Sequence, residues 1–264
     1  MIQVINRPFG IRAVTRALGI LVLVLPTFAF ASEGGSFMHT VKNDKTDIAS
    51  LQRGARNFVN YCGGCHSAKY IRFSKLQEDL HLTEKQMTEN LMFAARKTDE
   101  LMKVAMPPED AARWFGQSPP DLTLVARSRG TDWVYSFLKS FYLDPSRPTG
   151  VNNLLLPNAS MPHALWQLQG LQEASFYETT EANGTVVSHF GDPAFFAKFE
   201  EIQPGKLSPE EYDQFVTDLV NFLDWAGTPE QMDRQRLGIW VIIFLVVFLI
   251  FAYLLKVEIW KDVK

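Results

Sequence analysis

Tyr61-Cys62-Gly63-Gly64-Cys65-His66 is the stretch around which the rest of the chain is organised. It reads C-x-x-C-H, the attachment pattern for a c-type haem. Two cysteines three apart lie on one side of a tight helical turn, so both sulfurs can reach the vinyl groups along one edge of a porphyrin. The adjoining His66 can then bring its imidazole under the iron. A zinc site would need four ligands, and Cys62 and Cys65 are the only 2 cysteines in the chain. A thioredoxin-type C-x-x-C belongs in a βαβ setting, which the sequence does not offer. A plain disulfide would have no use for the histidine. The cofactor expected is one covalently bound haem c.

Apolar residues concentrate at the two ends of the 264 residues. Arg7, Arg12 and Arg16 precede an apolar run from Ala17 to Phe30, and Ala29-Phe30-Ala31 gives an A-x-A site. Residues 1–31 therefore read as a cleaved secretory signal. Near the other end, Leu237 to Leu255 is without charge and long enough to cross a bilayer as a helix. Trp240, Tyr253 and Trp260 are placed as interfacial aromatics. The resulting domains are the signal (1–31), an exported haem domain (32–232), a transmembrane anchor (233–256) and a short tail (257–264). Export fixes the orientation: haem domain in the periplasm, tail in the cytoplasm, anchor in the bacterial inner membrane.

The formal net charge is −3. Without the +3 leader and the +1 carried by the residues after Leu255, the exported domain carries about −7. Such a surface excludes nucleic acid as a partner and favours a basic one.

Between the ends the signals are mostly helical. Leu51, Ala55, Phe58 and Val59 mark a helix capped by Ser50 and running to Tyr61, with Gly54 explained by a close helix crossing. Lys69 to Asp79 reads as loop. Thr83 and Gln86 form a capping box, with Leu82 and Met87 as a hydrophobic staple, for a helix to about Arg96. Ala111 to Phe115 is a helical turn stopped by Gly116. Asp121 is placed to cap a helix carrying Leu122, Val125, Arg127 and Arg129, and Thr131 or Asp132 to cap one carrying Trp133, Val134, Phe137, Leu138 and Phe141. Residues 150–160 show no periodicity. Asn183-Gly184 between β-prone runs signals a hairpin within 176–190. Ser208, Pro209 and Glu211 start a last long helix with a stripe of Tyr212, Phe215, Val216, Leu219, Phe222 and Leu223.

His66 leaves the second axial position open. Met161, in a loop stiffened by Pro157 and Pro162, is the first candidate. Met106, also followed by proline, is its rival, and His39, His81, His163 and His189 are the remaining choices. A Met/His pair makes an electron carrier of raised potential, whereas an open position permits ligand or peroxide chemistry. Arg127 and Arg129 are two apart and do not share a helix face, so one of them can meet a haem propionate through its guanidinium fork.

The order of these features resembles the cytochrome c1 family of quinol–cytochrome c reductase (cytochrome bc1) complexes, of the bacterial type. The matching pieces are Ser50-Leu51-Gln52-Arg53-Gly54 leading into the haem pattern, Pro119-Pro120-Asp121-Leu122-Thr123 with Arg127 and Arg129, and Met161-Pro162. Phe222-Leu223-Asp224-Trp225-Ala226 then runs through Pro229, Glu230, Arg234 and Arg236 into the anchor. The resemblance covers nearly all of the mature chain. It implies a mostly α fold: a cytochrome c-like helical haem domain with loop and hairpin insertions, plus one C-terminal transmembrane helix. It implies Met161 as sixth ligand, so that His66 and Met161 bind the metal, and Arg129 near a propionate. Where the family often has tyrosine, this chain has Trp133. The implied role is an electron-transfer subunit of ubiquinol–cytochrome c oxidoreductase with no substrate-transforming site of its own. It would sit beside cytochrome b, accept one electron from the Rieske iron–sulfur protein and pass it to a soluble cytochrome c or equivalent. The alternatives are a free-standing membrane-anchored cytochrome feeding a terminal oxidase, and an enzyme or sensor with an open iron.

Overall fold

The computed structural model describes residues 37–181 and 185–261. The expected signal, 1–31, the Asn183-Gly184 turn and the end of the tail lie outside these residues.

Two long helices form the frame. Helix α1 (Ile48–Tyr61) starts at Asp47, whose carboxylate accepts from the Ser50 amide. Ser50 is thus inside the helix and not its cap, because its hydroxyl is committed to Asp218, 2.7 Å away. Helix α8 (Pro209–Gly227) has the expected capping box between Ser208 and Glu211. The two helices cross at Gly54, where an added Cβ would run into the Asp218 carbonyl and lie 2.7 Å from Phe222 Cβ. Beside the crossing, Phe58 meets Phe222 with ring centroids 5.4 Å apart. Arg53 holds the buried Asp218 through Nε (2.6 Å) and Nη2 (2.9 Å). Pairing is what makes a carboxylate tolerable at this depth.

Shorter elements wrap this frame. Residues 69–79 are not loop: β1 (Ala68–Arg72) is followed directly by α2 (Phe73–Asp79). Strand β1 pairs with a partner distant in sequence, β2 (Leu101–Met102), which local patterning cannot reveal. Helix α3 (Glu84–Asn90) has the Thr83–Gln86 capping box but ends well before Arg96. The chain leaves it at Leu91, and Phe93 and Ala94 turn toward a cleft instead. Helix α4 (Pro108–Phe115) stops at Gly116, whose φ of 78° is left-handed.

Helix α5 (Val125–Arg129) begins later than Asp121. That carboxylate accepts from the amides of Lys69 (2.8 Å) and Thr123 (3.0 Å), so it ties two loops together and caps nothing. Helix α6 (Thr131–Lys139) has no side-chain cap either, since Asp132 accepts from Val41, 2.8 Å away. Residues 150–160 include a strand, β4 (Val151–Asn153), paired with β3 (Phe141–Leu143). A four-residue helix α7 (Trp166–Gln169) leads into β5 (Gly170–Phe176). The hairpin is present as β6 (Glu178–Thr180) against β7 (Val186–Ser188), and β8 (Phe196–Pro204) returns along β5.

Helix α9 (Gln231–Ile259) follows α8 closely and is long and apolar enough to cross a membrane. The junction is held from two sides. Lys45 Nζ donates to Asp224 (3.0 Å), Thr228 (3.2 Å) and Gln231. Lys75 Nζ bridges Asp79 (2.9 Å) and Glu230 (3.1 Å), and Asp79 also accepts from Trp225 Nε1 at 3.1 Å.

Candidate haem site

The C-terminus of α1 forms the haem-binding turn. The amides of Cys62 and Gly63 both reach the Phe58 carbonyl at 2.8 Å. The amides of Cys65 (3.0 Å) and His66 (2.8 Å) then reach the Cys62 carbonyl. Winding continues through the motif, so the sulfurs and the imidazole issue from one turn. Gly63 fits because a Cβ there would lie only 3.0 Å from the Val59 carbonyl.

His66 is oriented by backbone. Its Nδ1 lies 2.7 Å from the Pro120 carbonyl, which can only accept, so Nδ1 carries the hydrogen. The Nε2 lone pair is thereby free to ligate a metal. Burial, opposed by the Pro120 contact and by Asp121, lowers the His66 pKa and keeps the ring neutral. Pro120 is itself fixed by a seam between residues 67–70 and 120–123. Leu122 donates to the Ser67 carbonyl (2.8 Å), Asp121 accepts from Lys69, and Tyr70 donates to Thr123 Oγ1 (3.4 Å). The Pro-Pro-Asp-Leu segment is therefore a holder for the histidine.

Cys62 and Cys65 are not joined to each other by a disulfide. Burial, with the neighbouring Cys65 sulfur, pushes the Cys62 thiol up to about 12. A thiol–disulfide oxidoreductase needs the opposite shift, toward thiolate. Among the described residues no group of three or more His, Cys, Asp or Glu is arranged to hold a metal ion.

Beside His66 opens a cleft of about 670 Å³, solvent mouth included, lined by Phe58, Val59, Phe73, Leu91, Phe93 and Met102. Phe93 is 65% exposed there, an apolar cost that a planar hydrophobic ligand would remove. The residues present fit a covalently attached haem: two cysteines on one turn, a pre-oriented Nε2 and an apolar wall. The group would bring a one-electron couple, tuned by its axial ligands.

Of the other candidates, Met161 is half-buried against the core and does not line this cleft. Met106 lines a neighbouring depression with Cys65, Pro119 and Asp121. His163 is buried and stacked on Phe141, and burial, opposed by a Gly170 backbone contact, lowers its pKa to about 4. Arg127 and Arg129 are both exposed on α5. Arg129 lies over the Trp133 ring, 5.1 Å from its centroid, so Trp133 serves as a cation–π shelf. Arg127 packs beside Gly227 at the end of α8. Sequence reasoning missed Asp144, Asn152 and Asn153, buried polar residues whose hydrogen bonds order the segment before Met161. The only local hint was their polarity in a run of apolar neighbours.

Residues 37–263 match the model of the Cytochrome C1 family. The chain is 48% identical over 246 residues to cytochrome c1 of Allochromatium vinosum, covering 93% of this chain and 98% of that one. It is 38% identical to a Nitrosomonas europaea protein named ammonia monooxygenase gamma subunit, over 92% of this chain and 96% of that one. It is also 25% identical to the cytochrome b/c1 of Bradyrhizobium diazoefficiens, over 83% of this chain but 34% of that longer protein. With its C-x-x-C-H turn inside a match that spans the haem domain and the apolar helix, the chain belongs to the cytochrome c1 family and carries covalently bound haem c.

Proposed function

We propose that this protein is the electron-relay subunit of a bacterial cytochrome bc1 complex. It takes one electron from the Rieske iron–sulfur protein and passes it to a soluble cytochrome c or an equivalent carrier. Cys62 and Cys65 hold the haem, and His66 and Met161 ligate the iron. Arg129 is the residue that meets a haem propionate, with Arg127 the alternative. Residues 1–31 are removed on export, 32–232 lie in the periplasm, 233–256 cross the inner membrane and 257–264 are cytoplasmic. Cytochrome b is the neighbour of the anchor.

The observation that supports this reading best is the His66–Pro120 contact, which leaves the Nε2 lone pair available to ligate a metal. A nitrogen on one side and a thioether on the other make a closed iron suited to relay. What the chain's own groups do is hold, orient and exclude water: Pro120 fixes the ring, and Phe58, Phe73 and Leu91 keep the cleft apolar. A low-polarity wall disfavours added charge on oxidation and raises the potential, as an acceptor from a high-potential donor requires. The length shared with a cytochrome b/c1 relative supports cytochrome b as a neighbour.

Mild solubilisation of the membrane tests the reading. Cytochrome b and the Rieske protein are expected to co-purify, and the complex to reduce a soluble cytochrome c with a quinol. Purification without cytochrome b would favour the free-standing carrier, and purification with a monooxygenase the assignment given to the Nitrosomonas relative.

A further inference from the structure

The loop between β4 and α7 is held at both ends by side chains of a single two-stranded ribbon, β3–β4. On the incoming side, Asn153 Oδ1 accepts from the amides of Leu155 (2.9 Å) and Leu156 (3.1 Å). Asn152 Oδ1 accepts from the Asn158 amide at 2.8 Å. The clamps are themselves clamped: Asn152 Nδ2 donates to Asp144 (2.9 Å) and Asn153 Nδ2 to the Phe137 carbonyl (2.8 Å). Asn158 has φ 65°, a left-handed backbone that needs such support in a residue with a Cβ. On the outgoing side, His163 is 6% exposed and lies flat on Phe141 of β3, ring centroids 5.0 Å apart at 4°. Met161 is suspended between these fixed points, Asn158 and His163.

We infer that the β3–β4 ribbon is a platform that positions Met161, with Asn152 its principal positioning residue. The inference rests on the reading of Met161 as the sixth ligand. A thioether is a neutral, weak donor, and ordering each loop residue costs conformational entropy, so a loop ordered in advance favours the bond. The fraction of molecules with the iron closed then follows how firmly the ribbon holds it. Asn152→Ala removes the acceptor for Asn158 and frees the approach to Met161, while leaving Cys62, Cys65 and His66 untouched.

The experiment compares five variants of the full chain in its complex, by mass, visible spectrum, redox titration and carbon monoxide binding to the ferrous form. In Asn152→Ala the haem is expected to stay attached. The sulfur-to-iron band should weaken, the potential fall and carbon monoxide binding rise about tenfold or more, because the variant loses the hydrogen bonds of Asn152 to Asp144 and to the Asn153 and Asn158 amides. Ser50→Ala removes a buried hydrogen bond at the distant α1–α8 crossing and should lower Tm without touching the spectrum. Should Asn152→Ala not accumulate, Asn158 decides: Asn158→Gly keeps the left-handed turn and the native spectrum, and Asn158→Val loses both. Met161→Leu separates the two readings. If it opens the iron while Asn152→Ala and Asn158→Val stay native-like, the platform is wrong and the ligand right. If it leaves band and gas binding unchanged, the ligand reading fails and the platform with it.

Discussion

Asp144 shows how a residue far from the haem turn orders the segment before Met161. It is 3% exposed, and burial alone would raise its pKa, yet donation from Ser146 and Asn152 holds it below the ordinary carboxylate range. A depressed carboxyl contributes stability above its unfolded pKa, near 4, and loses it as pH falls through the lower folded value. Asp144→Asn should cost about 1–3 kcal/mol at neutral pH and flatten the fall in stability below about pH 4. Thermal melting across a pH series reads both effects, and parallel acid limbs in variant and native protein would contradict the assignment. At the iron, Met161→Leu should leave the haem covalently bound, lower the potential and admit carbon monoxide. Met106→Leu, on the far side of Cys65, should change none of these. Optical redox titration of the two variants compares them directly. A residue such as Cys62 was legible in the sequence because its chemistry is written in its immediate neighbours. Asn152 was not, because its partners Asp144 and Asn158 stand in aperiodic loops where no spacing rule marks a hydrogen bond.

Elements divide along the same line. Helix α8 was readable from its capping box, N1 proline and apolar stripe, all local signals strong enough to stand alone. Gly54 in α1 was readable as a crossing point, and the crossing with α8 leaves no room for a Cβ. By contrast β1, α2 and β4 are short, β1 pairs with the sequence-distant β2 and β4 with β3 across an irregular loop, so periodicity gave no sign of them. Asp121 looked like a helix cap and is a loop tie, since Asx turns and caps share the same residue types. Gly54→Ala should therefore be costly despite its better helix propensity. The clash is with the Asp218 backbone, which cannot rotate away, and a fall in Tm of roughly 5 °C or more is expected. An unchanged melting temperature would mean that the helices part easily.

On the scale of the whole molecule, the haem domain and the apolar helix are joined by a short connection braced by Lys45 and Lys75. Single ion pairs near the surface are individually weak, but these engage residues on both helices of one joint, Asp224 on α8 and Gln231 on α9 through Lys45, and Glu230 between them through Lys75. Replacing both with methionine should broaden the distance distribution between spin labels on the haem domain and on α9, and leave the haem spectrum native. A distribution as narrow as the native one would show that the short connection alone is stiff. The acidic exterior, about −7 by sequence, should make electron delivery to a basic carrier slow steeply as salt rises; a flat dependence would remove the acidic dock. All of this depends on a haem iron closed on both faces by side chains of this protein. The most direct measurement is the visible spectrum of the ferrous complex before and after carbon monoxide is added. The closed iron is expected to give two superimposable low-spin spectra, and a shifted, gas-bound spectrum in the native protein would contradict it.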